Sequence, residues 1–221
     1  MTSMVMGLLL AAGTVALLDW TILARAPVPT AGVAAVPRGG FVTKPLVLLL
    51  LIAAALVLEP AVAVQRIWFV AALLLSLAGD VALLAPERGF LPGLGAFAAA
   101  HLAYIAGMLS RDQAPGGVAA GVVLVVLAAS FVGVRIVVGA AQWRGWKLAL
   151  PVGIYLAVIS GMVVVAFGTA NWAAMSGAVL LYASDAVLGW NRFICPIRRG
   201  RLLTRIPYHL GQAALLISLL G

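Results

Sequence analysis

Residues 67–85 read IWFVAALLLSLAGDVALLA. One ionisable side chain, Asp80, stands in this run among leucines, alanines and valines. At 1.5 Å per residue the stretch spans about 28 Å as a helix, close to the ~30 Å hydrocarbon thickness of a bilayer. It therefore reads as a transmembrane helix. The acid inside it needs a reason, because a charge at mid-bilayer costs about 2.5–3.5 kcal/mol on insertion scales.

The rest of the chain has the same character. It has 221 residues, 65% hydrophobic and 9% charged, with mean hydropathy +1.18. Soluble domains carry about 25% charged residues. The composition predicts one integral membrane domain over residues 1–221. The lack of long alternating strands argues against a β-barrel, and helices satisfy their own backbone hydrogen bonds in lipid. The predicted fold is an all-α polytopic bundle of eight transmembrane helices, near 4–24, 42–59, 67–85, 91–109, 116–137, 148–168, 171–190 and 204–220. The start, MTSMVMGLLLAAGTVALL, lacks the positive charge that opens a signal peptide, and reads as the first of these helices.

A net charge of +8 is not a nucleic-acid footprint here, because its distribution is topological. Arg25, Arg38, Lys44, Arg88, Arg135, Arg144, Lys147, Arg192, Arg198, Arg199, Arg201 and Arg205 fall at one end of the predicted helices, and only Arg66 and Arg111 at the other. By the positive-inside rule the first end faces the cytoplasm and both termini lie outside, in a bacterial plasma membrane. The expected partners are membrane lipids, with no nucleic acid. A lone cysteine, Cys195, excludes an intrachain disulfide and a multi-cysteine metal site. No HxxxH or HExxH spacing supports zinc, so neither metal nor cofactor is expected.

Depth brings the polar residues together. Asp80 lies about 9 Å before Pro86, and Asp185, in LYASDAVLGWNRF, lies as far before Asn191. Asp19, Lys44, Tyr208 and His209 come to similar levels from other helices, and His101 lies deeper. Asp80 is followed by His101 much as Asp185 is followed by His209, with a half-to-half offset of about 105 residues. Two four-helix halves would explain that echo. Each aspartate has a bland reading as a helix lock paired with Lys44 or an arginine. An ionisable residue within the membrane is, however, a functional candidate by default. Lys44 reads as an anchor, as a phosphate contact or as the partner of an aspartate, and Arg198, Arg199, Arg201 and Arg205 as charge that sets topology and attracts anionic lipid.

Four blocks resemble the YhhN/TMEM86 family: TKPL (43–46), LLLSLAGDVALL (73–84), FAAAHLAYIAG (97–107), and LLYASDAVLGWNRF (180–193) continuing to YHLGQAALLIS (208–218). The characterised members are lysoplasmalogenases. The resemblance implies a membrane enzyme that cleaves the vinyl ether bond of a lysoplasmalogen, a lysophospholipid, to a fatty aldehyde and a glycerophospho-base. It implies Asp80 and Asp185 as the catalytic pair. Lys44, His101, Asn191, Arg192, Tyr208 and His209 are the expected substrate contacts.

The chemistry suits two carboxyls. A vinyl ether is protonated at its β-carbon, and water then attacks the oxocarbenium ion, a cation of the kind glycosidases handle. Ser184 and Asn191 near Asp185 favour it as the base. The competing class is a transporter or a lipid-binding membrane protein with intramembrane aspartates, since two equivalent halves suit proton-coupled transport. Against it, no glycine- or proline-broken helices stand in matching positions.

Overall fold

The computed structural model describes residues 2–26, 40–85 and 88–221. Arg38, Pro86 and Glu87 lie outside them. Among the described residues no strand forms. Eight helices run α1 (Ser3–Arg25), α2 (Gly40–Val57), α3 (Ala63–Ala82), α4 (Phe90–Met108), α5 (Pro115–Arg144), α6 (Trp146–Gly168), α7 (Trp172–Phe193) and α8 (Gly200–Ile217). Six of them are long and apolar enough to cross a membrane, all but α2 and α8, and the chain is an integral membrane protein. The apolar part of α2, Val42–Val57, is shorter. α8 carries Arg201 and Arg205 and is the most two-sided helix, with Tyr208, His209, Gly211, Gln212, Leu215 and Leu216 buried along one stripe.

The expected end of the fifth helix at 137 is corrected to Arg144. A π-helical turn at Ala129–Gly133 lets α5 continue, and Gly145, at φ 68°, turns the chain straight into α6. Only glycine takes that backbone angle without strain. Arg135 sits on the exposed face of α5 and donates to the Phe131 carbonyl. A helix does not stop where its apolar run stops.

Lipid tails are as apolar as leucine, so close packing and hydrogen bonds hold such helices together. The most extensive pairings are α3 with α4 and α7 with α8. In the first, Phe69 meets Tyr104 edge to face at 4.9 Å, a contact worth about 0.5–1.5 kcal/mol. In the second, Gly177 and Gly211 face each other so closely that a Cβ on either would come 2.9 Å from the other's carbonyl oxygen. At one end of the bundle Ala61 N–H donates to Leu219 O at 2.8 Å and Ala114 N–H to Gly168 O at 2.7 Å. The polar side chains discussed next gather toward the opposite end.

Candidate active site

Asp80 sits near the end of α3, and its carboxyl is buried. Lys44, from the start of α2, forms an ion pair with Oδ1, and Tyr208 Oη of α8 donates to Oδ2 at 3.0 Å. The ammonium also lies 4.6 Å from the Tyr208 ring centre and 5.9 Å from that of Phe97. Gly79 leaves the room this needs, since a Cβ there would stand 2.8 Å from the Phe97 ring. The cluster extends through α1. Asp19, fully buried, accepts from Thr43 and pairs with Arg205 Nη1 at 2.6 Å. Trp20 Nε1 donates to His209 Nδ1 at 3.1 Å. Buried charges are tolerated only when paired in this way.

Asp185 makes a second centre, about two turns inside α7. Tyr155 of α6 donates a short hydrogen bond to its Oδ2. His101 of α4 places Nε2 2.9 Å from the Tyr155 hydroxyl and 3.5 Å from the same carboxylate oxygen. His101 is buried, whereas the Asp185 carboxyl is 18% exposed against 1% for Asp80.

That exposure faces a cleft that is open at its mouth. Leucines, Phe90, Phe97, Ile136, Val152 and Phe193 make its walls, and Tyr155, Asp185 and Arg192 bring the polar groups. Arg192 lies about 10 Å along the α7 axis from Asp185, with its guanidinium 3.9 Å from the Phe90 ring centre. Phe97 is common to both centres. It lines the cleft and also packs edge to face on Tyr208 at 6.2 Å.

The two aspartates thus lie in separate polar centres that meet at one aromatic wall. Lys44 and Tyr208 join Asp80, His101 joins Asp185, and Arg192 joins the cleft. Asn191 does not. Its Oδ1 accepts from Ile197 N–H at 2.8 Å and braces the chain between α7 and α8. Ser184, expected beside the Asp185 carboxyl, donates instead to Thr204 O at 3.0 Å. His209, expected as a substrate contact, is buried and lies against Trp20. Sequence reasoning missed Tyr155, Thr43, Trp20 and the inward turn of Arg205. Among the described residues no group of three His, Cys, Asp or Glu side chains is placed to hold a metal ion.

Comparison with known proteins agrees with this frame. A model described as the YhhN family matches residues 40–219. The chain is 39% identical over 159 residues to a lysoplasmalogenase of Mycobacterium tuberculosis, covering 65% of this chain and 56% of the relative. It is 33% identical over 157 residues to lysoplasmalogenase TMEM86B of Sus scrofa, covering 66% and 61%. It is 30% identical over 152 residues to lysoplasmalogenase TMEM86B of Homo sapiens, covering 67% and 62%. The chain therefore spans less than two thirds of the length of these relatives. No solved structure matches it. The family match takes in seven of the eight helices, α2 to α8, and on that ground the chain belongs to the YhhN family.

Proposed function

We propose that this chain hydrolyses the vinyl ether bond of a lysoplasmalogen-type lysophospholipid, giving a fatty aldehyde and a glycerophospho-base. The observation that carries the reading is a partly exposed carboxyl, Asp185, on the wall of a largely apolar cleft. Family membership and the names of the relatives support it. A lipid chain suits the leucine and phenylalanine walls. The phosphate of the substrate meets Arg192 at a distance along α7 from the reacting bond.

Asp185, in its acid form, gives its proton to the β-carbon of the double bond, whose electron pair makes the new C–H bond. The cation left behind is shared by the α-carbon and the ether oxygen. Water attacks that carbon and returns a proton to the Asp185 carboxylate. The hemiacetal then breaks its bond to the glycerol oxygen, which takes up the hydroxyl proton and leaves the aldehyde. One water is consumed and no net proton. Asp80, the second carboxyl of the proposed pair, holds Lys44 and Tyr208 against Phe97, the wall shared with the cleft.

We further propose that the chain acts as one membrane unit in a bacterial plasma membrane. The end that bears exposed Arg25, Arg88, Arg144, Lys147, Arg198 and Arg199 faces the cytoplasm, with both termini opposite.

The activity is tested on purified protein in detergent with a lysoplasmalogen in heavy water. The expected aldehyde carries one deuterium on the carbon next to its carbonyl. Asp185→Asn is expected to lower the rate by about 10²–10⁴-fold, the usual contribution of a positioned acid. Wild-type turnover in Asp185→Asn sinks the assignment, and absence of aldehyde from the wild type sinks the function.

A further inference from the structure

We infer that Tyr155 couples the protonation of Asp185 to the tautomer of His101, so that side chains from α4, α6 and α7 share one movable proton. The coupling is a property of the geometry; its consequence for rate rests on the proposed hydrolysis.

The phenol of Tyr155 has one proton and two neighbours that can accept it. One is Asp185 Oδ2, to which it donates, and the other is His101 Nε2 at 2.9 Å. The direct separation of His101 Nε2 from that carboxylate oxygen is longer, 3.5 Å, so the phenol oxygen is the shorter link between them. A neutral histidine usually has its tautomer fixed by whatever bonds its other nitrogen. Here Nδ1 is buried and has no hydrogen-bond partner among the described residues. The Nε2–phenol bond alone decides which nitrogen carries the proton.

Two arrangements satisfy every hydrogen bond in the set. With Asp185 ionised, the phenol donates to the carboxylate, and His101 donates Nε2–H to the phenol oxygen. With Asp185 protonated, its O–H donates to the phenol oxygen, the phenol donates to Nε2, and the imidazole proton sits on Nδ1. Adding one proton at Nδ1 and shifting one proton along each of the two hydrogen bonds converts the first into the second. Neither His101 nor Tyr155 is left charged at the end. When Asp185 gives its proton to the substrate in the cleft, the phenol O–H turns from Nε2 to the new carboxylate as a charge-assisted hydrogen bond. His101 returns to its Nε2–H form by losing the Nδ1 proton to water and taking one at Nε2. Tyr155 acts through Asp185 and is a positioning residue. Charged groups on the surrounding elements are Arg192, which lines the same cleft from α7, and the Lys44–Asp80 pair beyond Phe97.

The chain has two histidines, so His209→Gln leaves His101 as the one imidazole. Protein with ¹⁵N-histidine and ¹³C-aspartate in lipid nanodiscs is titrated without substrate, and the Asp185 signal is assigned by its loss in Asp185→Asn. The expected result is that the ring proton moves from Nε2 to Nδ1 in the same step in which the Asp185 carboxyl gains its proton. In Tyr155→Phe, which keeps the ring, the tautomer no longer follows Asp185. A wild-type His101 that keeps one tautomer through that step, or becomes doubly protonated, overturns the coupling. On substrate, Tyr155→Phe is expected to lower kcat at least about tenfold with KM within about twofold. A kcat at the wild-type value removes the coupling from the reaction. If the tautomer follows Asp185 but the wild type releases no aldehyde, the coupling stands and the hydrolysis reading fails.

Discussion

Lys44 shows at the scale of one residue how a structure chooses among readings of a charge. Next to Pro45, at the start of a helix, it reads as an anchor at the membrane edge, as a phosphate contact or as the partner of an aspartate. It is the counter-ion of Asp80. Removing one partner of a buried pair costs about 3–5 kcal/mol, because the other is left without compensation. Lys44→Ala is therefore expected to lower the thermal unfolding midpoint in detergent by circular dichroism, and Asp80→Asn in that background is expected to recover part of the loss. If Lys44→Ala melts with the wild type, the pair does not hold α2 to α3. Asp80 and Asp185 were legible in the sequence because an acid is costly in an apolar helix. Tyr155 was not. A tyrosine in such a helix is cheap and common, and its value here lies in contacts with α4 and α7 that no spacing within α6 reveals. Arg205 was hidden for the opposite reason, since an arginine near a helix start already has an explanation in topology.

Existence and order of the elements follow from the apolar runs, and their ends do not. α5 passes beyond its apolar run to Arg144, and α7 reaches Phe193 and carries Arg192 to the wall of the cleft. α1 lies outside the family match at 40–219, yet Asp19 and Trp20 tie it to Thr43, Arg205 and His209. The pairing of α7 with α8 sets where Tyr208 stands relative to Asp185, and Gly177 and Gly211 set the pairing. A Cβ on either falls on backbone atoms of the other helix, so the helices must part rather than a side chain rotate. Gly177→Ala and Gly211→Ala are each expected to cost about 1–3 kcal/mol, the usual price of overpacking. The double variant is expected to cost less than the sum, because the first methyl has already opened the gap. Strict additivity in thermal melts means that the two positions do not share a contact.

Across the whole molecule, each aspartate is held from the same two directions. Asp80 of α3 is bonded by Lys44 of α2 and Tyr208 of α8, while Asp185 of α7 is bonded by Tyr155 of α6 and approached by His101 of α4. In each case one partner comes from the preceding helix and the other from the last helix of the opposite four. Tyr104 of α4 and Gln212 of α8 join the two sets by a hydrogen bond at 2.5 Å. The spacing echo between Asp80–His101 and Asp185–His209 does not extend to the contacts, since His101 approaches Asp185 whereas His209 accepts from Trp20 and Tyr208 stands beside Asp80. What the echo did not carry is the difference between the centres, since Asp80 is closed by an ion pair and Asp185 opens to the cleft.

The orientation proposed for the bundle has a direct reporter, because Cys195 is the sole cysteine and is exposed. It lies between α7 and α8, close in sequence to Arg198 and Arg199, at the end where the polar centres gather. Asp112, exposed between α4 and α5, marks the opposite end. With the arginine-bearing end in the cytoplasm, a membrane-impermeant maleimide is expected to spare Cys195 in intact bacterial cells whose outer membrane admits the reagent, and to label it once the inner membrane is permeabilised. In Cys195→Ser with Asp112→Cys, the new thiol is expected to react in intact cells. The reverse pattern turns the bundle over, and the lysophospholipid would then reach the cleft from the outer leaflet rather than the inner one.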